Sequence, residues 1–221
     1  MDKRASTKTR TGDTYDRLRA DILGGHWRPG DRLKFALLSE RYEVSIGVIR
    51  EVLSRLAEQG LVRAEPQLGF RVTPISATDL EDLTAVRVDI EGLALRYSID
   101  RGDLDWEARL VAAHHALDRT QRIDPEDPTR LSDEWAAAHA RFHDKLLSGC
   151  GSPRLHAIAR SVRDAAELYR RWSVPLGEEK TPRDVEAEHR EILEATIDRD
   201  ADRAVAALTK HISITTRLIL E

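Results

Sequence analysis

Apolar positions recur at helical spacing along most of the chain. Tyr15, Leu18, Ile22 and Leu23 form a stripe that stops at Gly24-Gly25, which predicts a first helix from about Asp13. Pro29-Gly30 marks a turn before Leu33, and a short helix is predicted from about Leu37 to Tyr42. Ser45 is a candidate N-cap for a further helix over about 46–59, with Ile49, Val52, Leu53 and Leu56 on its apolar face and Gly60 as its stop. The period then changes. Leu61–Ala64 and Phe70–Thr73 predict two short strands joined through Pro66-Gln67-Leu68-Gly69. Three helices and a hairpin in this order predict a winged helix-turn-helix.

The remainder is helical by the same criterion. Helices are predicted at roughly 78–101, 104–121, 130–148, 153–173, 182–198 and 201–220. The breaks fall at Gly102, at Asp124–Pro128, at Gly149–Pro153, at Pro175–Gly177 and at an Arg199-Asp200 corner. The fold class is therefore mainly α, a winged helix-turn-helix followed by an all-helical bundle. The predicted organisation is a flexible basic tail over 1–10, a DNA-binding domain over 11–73, a linker over 74–78 and a helical domain over 79–221.

Composition narrows the class. Of 221 residues, 41% are hydrophobic, enough for a core, while 12 Gly and 8 Pro are too few for collagen or a loop-rich sandwich. The single Cys150 cannot form an internal disulfide, and no apolar run approaches a membrane span, so a cytoplasmic protein with no membrane partner is expected. Charge is uneven. Residues 1–73 carry a net +4 and the rest −8, which points to a nucleic-acid partner for the front half.

In a helix-turn-helix the second helix enters the major groove and its N-terminal residues meet base edges. That surface here is Ser45, Ile46, Gly47 and Arg50, with Arg55 further along. Gly47 permits close backbone approach, and Arg50 offers a forked donor for guanine or phosphate. One such module reads only a few base pairs, so a homodimer on an inverted repeat of double-stranded operator DNA is expected.

Four of the eight histidines share a property. His139 and His143 lie four apart, on one helix face with Trp135, Phe142, Leu146 and Leu147. His189 sits in a stripe with Ile192 and Leu193, and His211 in one with Leu208 and Ile212. Asp200 lies 11 residues from each of these last two, so an antiparallel hairpin brings them level. Imidazole is a common ligand for zinc, nickel and related ions. Convergence of the two pairs predicts a divalent-metal site, and hydrogen-bonded core packing is the alternative. His114-His115 are expected at the surface, and His156 has no evident partner in the sequence.

The front half resembles the GntR family of bacterial transcription regulators. The resemblance runs through Ile22–Gly30, Leu33, Leu38-Ser39-Glu40, Val44-Ser45, Arg50–Leu53, Leu56, Gly60-Leu61-Val62 and Gly69–Val72. It implies a wing whose Gly69 approaches the minor groove, with Arg71 near the phosphate backbone. The family often has Arg and then Thr-Pro where this chain has Ile46 and Gly47-Val48, and a basic residue where it has Leu68.

The back half resembles the FCD ligand-binding domain of the FadR-type subgroup, through Arg87–Glu91, Phe142-His143, Leu146, Gly151–Leu155, Glu188-His189 and Ala201-Asp202 up to His211. That domain is an all-helical bundle that in many members binds a metal through an Asp and three His. The matching histidines are His143, His189 and His211, and His139 stands at the Asp position. A four-His set favours zinc or nickel over manganese. The resemblance further implies a small organic acid as effector, met by Arg87, with Tyr169 and Arg170 as further pocket candidates. Stretches such as Leu37-Leu38 and Cys150–Ser152 are most similar to repressors that answer to glutarate and carbon starvation. Together these features predict a ligand-responsive repressor and not an enzyme. The rivals are a hydrolase using the histidine metal site and a metal-free helical dimerisation module.

Overall fold

In the computed structural model the chain forms two compact units, Met1–Ile75 and Ser76–Glu221. The structure describes residues 9–74, 76–128, 131–177 and 183–220. Most of the predicted tail lies outside the described residues, but Arg10, placed in that tail, begins a helix instead. Thr9 caps it, its side-chain oxygen accepting from the Gly12 amide at 3.2 Å.

The first unit runs α1 (Arg10–Leu23), β1 (Arg32–Leu33), α2 (Phe35–Tyr42), α3 (Ile46–Glu58), β2 (Val62–Glu65) and β3 (Gly69–Val72). Its core is the predicted apolar set, with Leu18, Ile22, Leu38, Ile49, Val52, Leu53 and Leu56 fully buried. The turn between α2 and α3 is closed by Glu43 in the left-handed region (φ 55°) and by the Ser39 hydroxyl donating to the Val44 carbonyl at 2.5 Å. Ser45 caps α3 through the Val48 amide. α1 is tied to α2 by Asp21, which accepts from Tyr42 at 2.6 Å and from Arg41 at 3.0 Å. Burial and this bond push the Tyr42 phenol up to about 12.

The sheet corrects the expectation of two strands. β1 joins as a third, in the antiparallel order β1–β3–β2. Two residues are too few to show a period, so Arg32-Leu33 looks like a turn until β3 supplies its partner. The register Arg32–Arg71–Arg63 puts three arginines on one face, and Leu33–Phe70–Ala64 lies on the other.

The second unit comprises α4 (Ala77–Arg101), α5 (Leu104–Asp118), α6 (Asp133–Leu147), α7 (Pro153–Gly177), α8 (Val185–Ile197) and α9 (Ala201–Leu220). α4 packs on α7 and α9, α8 on α9, and α5 on α6 and α8. Caps set the boundaries that periodicity blurred. Ser76 caps α4, so the helix begins inside the predicted linker, and Ser132 caps α6 at 3.0 Å to the Trp135 amide, later than predicted. α5 stops at Asp118, and α7 runs through Pro175 to Gly177, because a proline in a last turn removes one hydrogen bond without ending the helix at once. Arg199, in the left-handed region (φ 59°), turns α8 back along α9. No helix among the described residues is long and apolar enough to cross a membrane.

Candidate metal centre and DNA-facing surface

His139 and His143 stand one turn apart on α6, His189 comes from α8 and His211 from α9. All four are buried, and each offers a ring nitrogen such that the four atoms lie within 4.8 Å of one another. The closest ring centroids are those of His139 and His143 (4.4 Å), and the widest are those of His139 and His211 (5.9 Å). Aromatic rings wall the cluster. Trp135 stacks on His139 at 4.8 Å, and Phe142 meets His143 and His189 at 5.2 and 5.4 Å.

Burial disfavours the charged imidazolium, so His139, His143 and His189 are held well below the ordinary histidine range, each further lowered by its neighbours. His211 is lowered too, less strongly because Glu188 faces it. Arg183 holds Glu188 with paired bonds of 2.9 and 2.7 Å, and the carboxylate accepts from His211 Nδ1 at 2.7 Å. These partners lower Glu188 to about 2 against the cost of its burial, so it is ionised and accepts the proton of Nδ1. His211 therefore turns Nε2, with its lone pair, away from Glu188. A carboxylate behind a ring in this way is the usual support of a metal-ligating histidine.

The donor set fits a divalent ion. Both ring nitrogens of His143 and Nε2 of His189 are buried without a hydrogen-bond partner among the described residues. A neutral imidazole packed as core would leave the lone pair of an inward nitrogen unpaired there, at a cost of about 1–3 kcal/mol. A cation in their midst takes up that lone pair.

Beside the cluster lies a cavity of about 30 Å³ lined by Arg87, His139, Arg163, Arg170, His211 and Thr215. Arg87 bonds Glu91 at 2.7 Å, and Glu91 is fully buried. Arg163, 9% exposed, has Nε and Nη1 without a hydrogen-bond partner among the described residues, and burial lowers its pKa. Of the predicted effector residues, Arg87 and Arg170 line this cavity and Tyr169 does not. Its buried hydroxyl donates to Asp79 on α4 at 2.7 Å. Tyr169 and Arg170 are one step apart on α7, about 100° at 3.6 residues per turn, and here the tyrosine turns to α4 while the arginine turns to the cavity. Two further expectations change. His114 is half-buried against Phe142 (5.5 Å), and His156 meets Asp144 at 3.2 Å.

Sequence reasoning missed Glu188, Arg183 and Arg163. Glu188 and His211 lie 12 and 11 residues from the Asp200 corner, a near-level pairing that the hairpin argument could have found. Arg163 gave no signal, since an arginine on a long helix reads as solvated.

On the first unit, Ser45, Ile46, Gly47, Arg50 and Arg55 are all exposed on α3. The Arg50 guanidinium lies 4.8 Å from the Phe35 ring centroid and that of Arg55 lies 4.4 Å from Tyr15. Gly69 has φ 91°, which favours glycine at the wing turn. Arg71 is half-buried and bonded to Glu65 at 2.9 Å and to the Gly30 carbonyl, so it braces the sheet.

Residues 10–72 match the family of bacterial regulatory proteins of the gntR type, and residues 82–213 match the FCD domain. The HTH-type transcriptional regulator BphR of Paraburkholderia xenovorans is 39% identical over 90% of this chain and 80% of its own length. The HTH-type transcriptional repressor GlaR of Escherichia coli is 32% identical over 90% of this chain and 91% of its own. A putative transcriptional regulator GntR of Rhodococcus sp. RHA1 has a similar structure, with a TM-score of 0.73, 27% identity and coverage of 96% of this chain and 97% of that one. These relatives are regulators and not enzymes, and the chain belongs to the GntR family of bacterial regulatory proteins, with a DNA-binding helix-turn-helix followed by an FCD domain.

Proposed function

We propose that this regulator is a cytoplasmic homodimeric repressor whose grip on operator DNA responds to a small carboxylic acid bound beside a divalent metal in the FCD domain. The observation that carries this reading is the set of four buried histidines, two of which, His139 and His211, line an arginine-lined cavity. His139, His143, His189 and His211 would hold the ion, and four neutral nitrogen donors favour zinc or nickel over manganese. When bound, the ion supplies positive charge at the cavity wall. Arg87 adds a forked contact for a carboxylate. On the DNA side, Ser45, Ile46, Gly47, Arg50 and Arg55 would face the major groove, and Gly69 the minor groove at the wing. Arg71 would act by bracing the wing.

The size of the cavity bears on the switch. About 30 Å³ holds roughly two waters, less than any organic acid of several carbons. The acid must therefore displace side chains, and Arg87 lies on α4, whose first residues follow the boundary between the units. A ligand biases a switch only by its differential affinity for the two states, and a hundredfold difference corresponds to about 2.7 kcal/mol.

Elemental analysis of untagged protein is expected to show zinc or nickel near one equivalent per chain. Calorimetry with a panel of mono- and dicarboxylates is expected to find an acid that binds wild type at least tenfold more tightly than Arg87→Ala or metal-stripped protein. An acid that binds all three alike would exclude the metal–arginine pocket. A metal-free preparation that resists reconstitution would leave the histidines as packing.

A further inference from the structure

The first turn of α3 has an unusual surface. The Ser45 oxygen accepts the cap bond from the Val48 amide, Val48 is half-buried and Ile49 is fully buried. What remains is Ile46, 49% exposed, and Gly47. Nothing among the described residues asks for glycine at 47. Its φ lies outside the left-handed region, and a Cβ there would meet only Ser45 Oγ, at an ordinary 3.7 Å. Glycine weakens a helix relative to alanine, so an empty position here needs a reason from outside the fold. The turn therefore offers an approaching surface one bulky apolar side chain beside a bare backbone. Between the Ser45 hydroxyl at the cap and Arg50, one turn on, no side-chain hydrogen-bonding group reaches out.

The approaching surface is DNA, because the chain is a GntR regulator and α3 is the second helix of its helix-turn-helix. The major-groove edges of the four bases carry donors and acceptors and one apolar feature, the thymine C5 methyl. An exposed isoleucine at the start of a recognition helix has one matching partner there. Against any other base edge it would strip water from donors and acceptors that it cannot replace. We propose that Ile46 reads a thymine methyl in each half-site, and that Gly47 is the gap that lets it approach. This rests on α3 lying in the major groove. Arg50 carries the polar part of the readout, and Ile46 determines one thymine.

The test begins by selecting the preferred duplex from a random library with the full-length protein. Each thymine is then replaced in turn by deoxyuridine, which removes the methyl and leaves every hydrogen-bonding group in place. Wild type should lose about fourfold in affinity at one thymine per half-site, the value of about 0.8 kcal/mol for one buried methyl-sized group. Ile46→Ala should bind the thymine and deoxyuridine duplexes alike. Ile46 is exposed, so this variant should keep the wild-type melting temperature. Gly47→Ala should melt no lower than wild type and still bind the operator more weakly. Deoxyuridine without effect at every position, or with the same penalty in Ile46→Ala, overturns the proposal while the placement of α3 stands. Arg50→Ala distinguishes the deeper failure: unchanged specific affinity in that variant would remove α3 from the groove and the proposal with it.

Discussion

Each imidazole of the cluster must present a lone pair inward, and a histidine chooses which nitrogen carries its proton by what stands behind it. His211 has Glu188 behind it at 2.7 Å, and Arg183 holds Glu188 in place. Removing that carboxylate frees Nδ1 to exchange roles with Nε2. Loss of such a supporting group typically costs 10–100-fold in metal affinity. Glu188→Ala is expected to weaken metal binding by about that much, while Glu188→Gln, which still accepts from Nδ1, should lose less. Competition against a chromophoric chelator measures both. Equal affinity in wild type and Glu188→Ala would remove Glu188 from the site. The four histidines themselves were legible from spacing, because i and i+4 share a helix face and a corner midway between two residues makes them level. Their support was not. Glu188 precedes a candidate ligand and reads as a solvated charge until the hairpin turns it toward α9.

Elements follow the same division between local and tertiary causes. The helices of both units were legible because each buries one stripe and ends at a cap or a glycine, signals carried within a few residues. Strand β1 was not, since its pairing with β3 spans about 40 residues of sequence. Gly102 shows both causes at one position. As a sequence signal it ends α4, yet its φ of −66° is open to any residue. The requirement is space. A Cβ at Gly102 would lie 2.2 Å from the Trp106 ring and 2.5 Å from the Ser98 carbonyl, and one at Gly149 2.9 Å from the same ring. Trp106, 2% exposed, is fixed between them by its Nε1 donating to the Lys145 carbonyl at 2.8 Å, which ties α5 to α6. Gly102→Ala is expected to destabilise the protein by about 1–3 kcal/mol through overpacking. Urea unfolding should show a lower midpoint, and an unchanged midpoint would mean that the α4–α5 corner yields without cost.

At the scale of the whole molecule the buried imidazoles link stability to pH and to metal. In the metal-free fold His139, His143 and His189 stay neutral well below 6.5, and His211 is also lowered, whereas in the unfolded chain they titrate near 6.5. Below that pH the unfolded chain binds more protons than the folded one, so stability falls as pH drops through 6.5. The slope is about 1.4 kcal/mol per pH unit for each imidazole that the fold keeps neutral. Glu167 and Glu188, lowered from 4.5 to about 2 by their arginine partners, act in the same direction at lower pH. Their contribution is complete above 4.5 and is lost as pH falls toward 2. Acid should therefore erode stability over two pH ranges, the upper one set by histidines. A divalent ion binds the neutral rings of the folded state alone, and at a thousand times its Kd it adds about 4 kcal/mol. Protons compete for the same nitrogens, but the folded rings stay neutral well below 6.5, so that addition should persist as pH falls through 6.5. Melting temperatures measured from pH 8 to 5 with zinc, and again with a chelator, should both fall with pH and stay apart. Curves that coincide at pH 8 would show that no metal supports the fold. Curves that already converge as pH passes 6.5 would show that the ligating rings titrate as ordinary histidines, and so are not these buried ones.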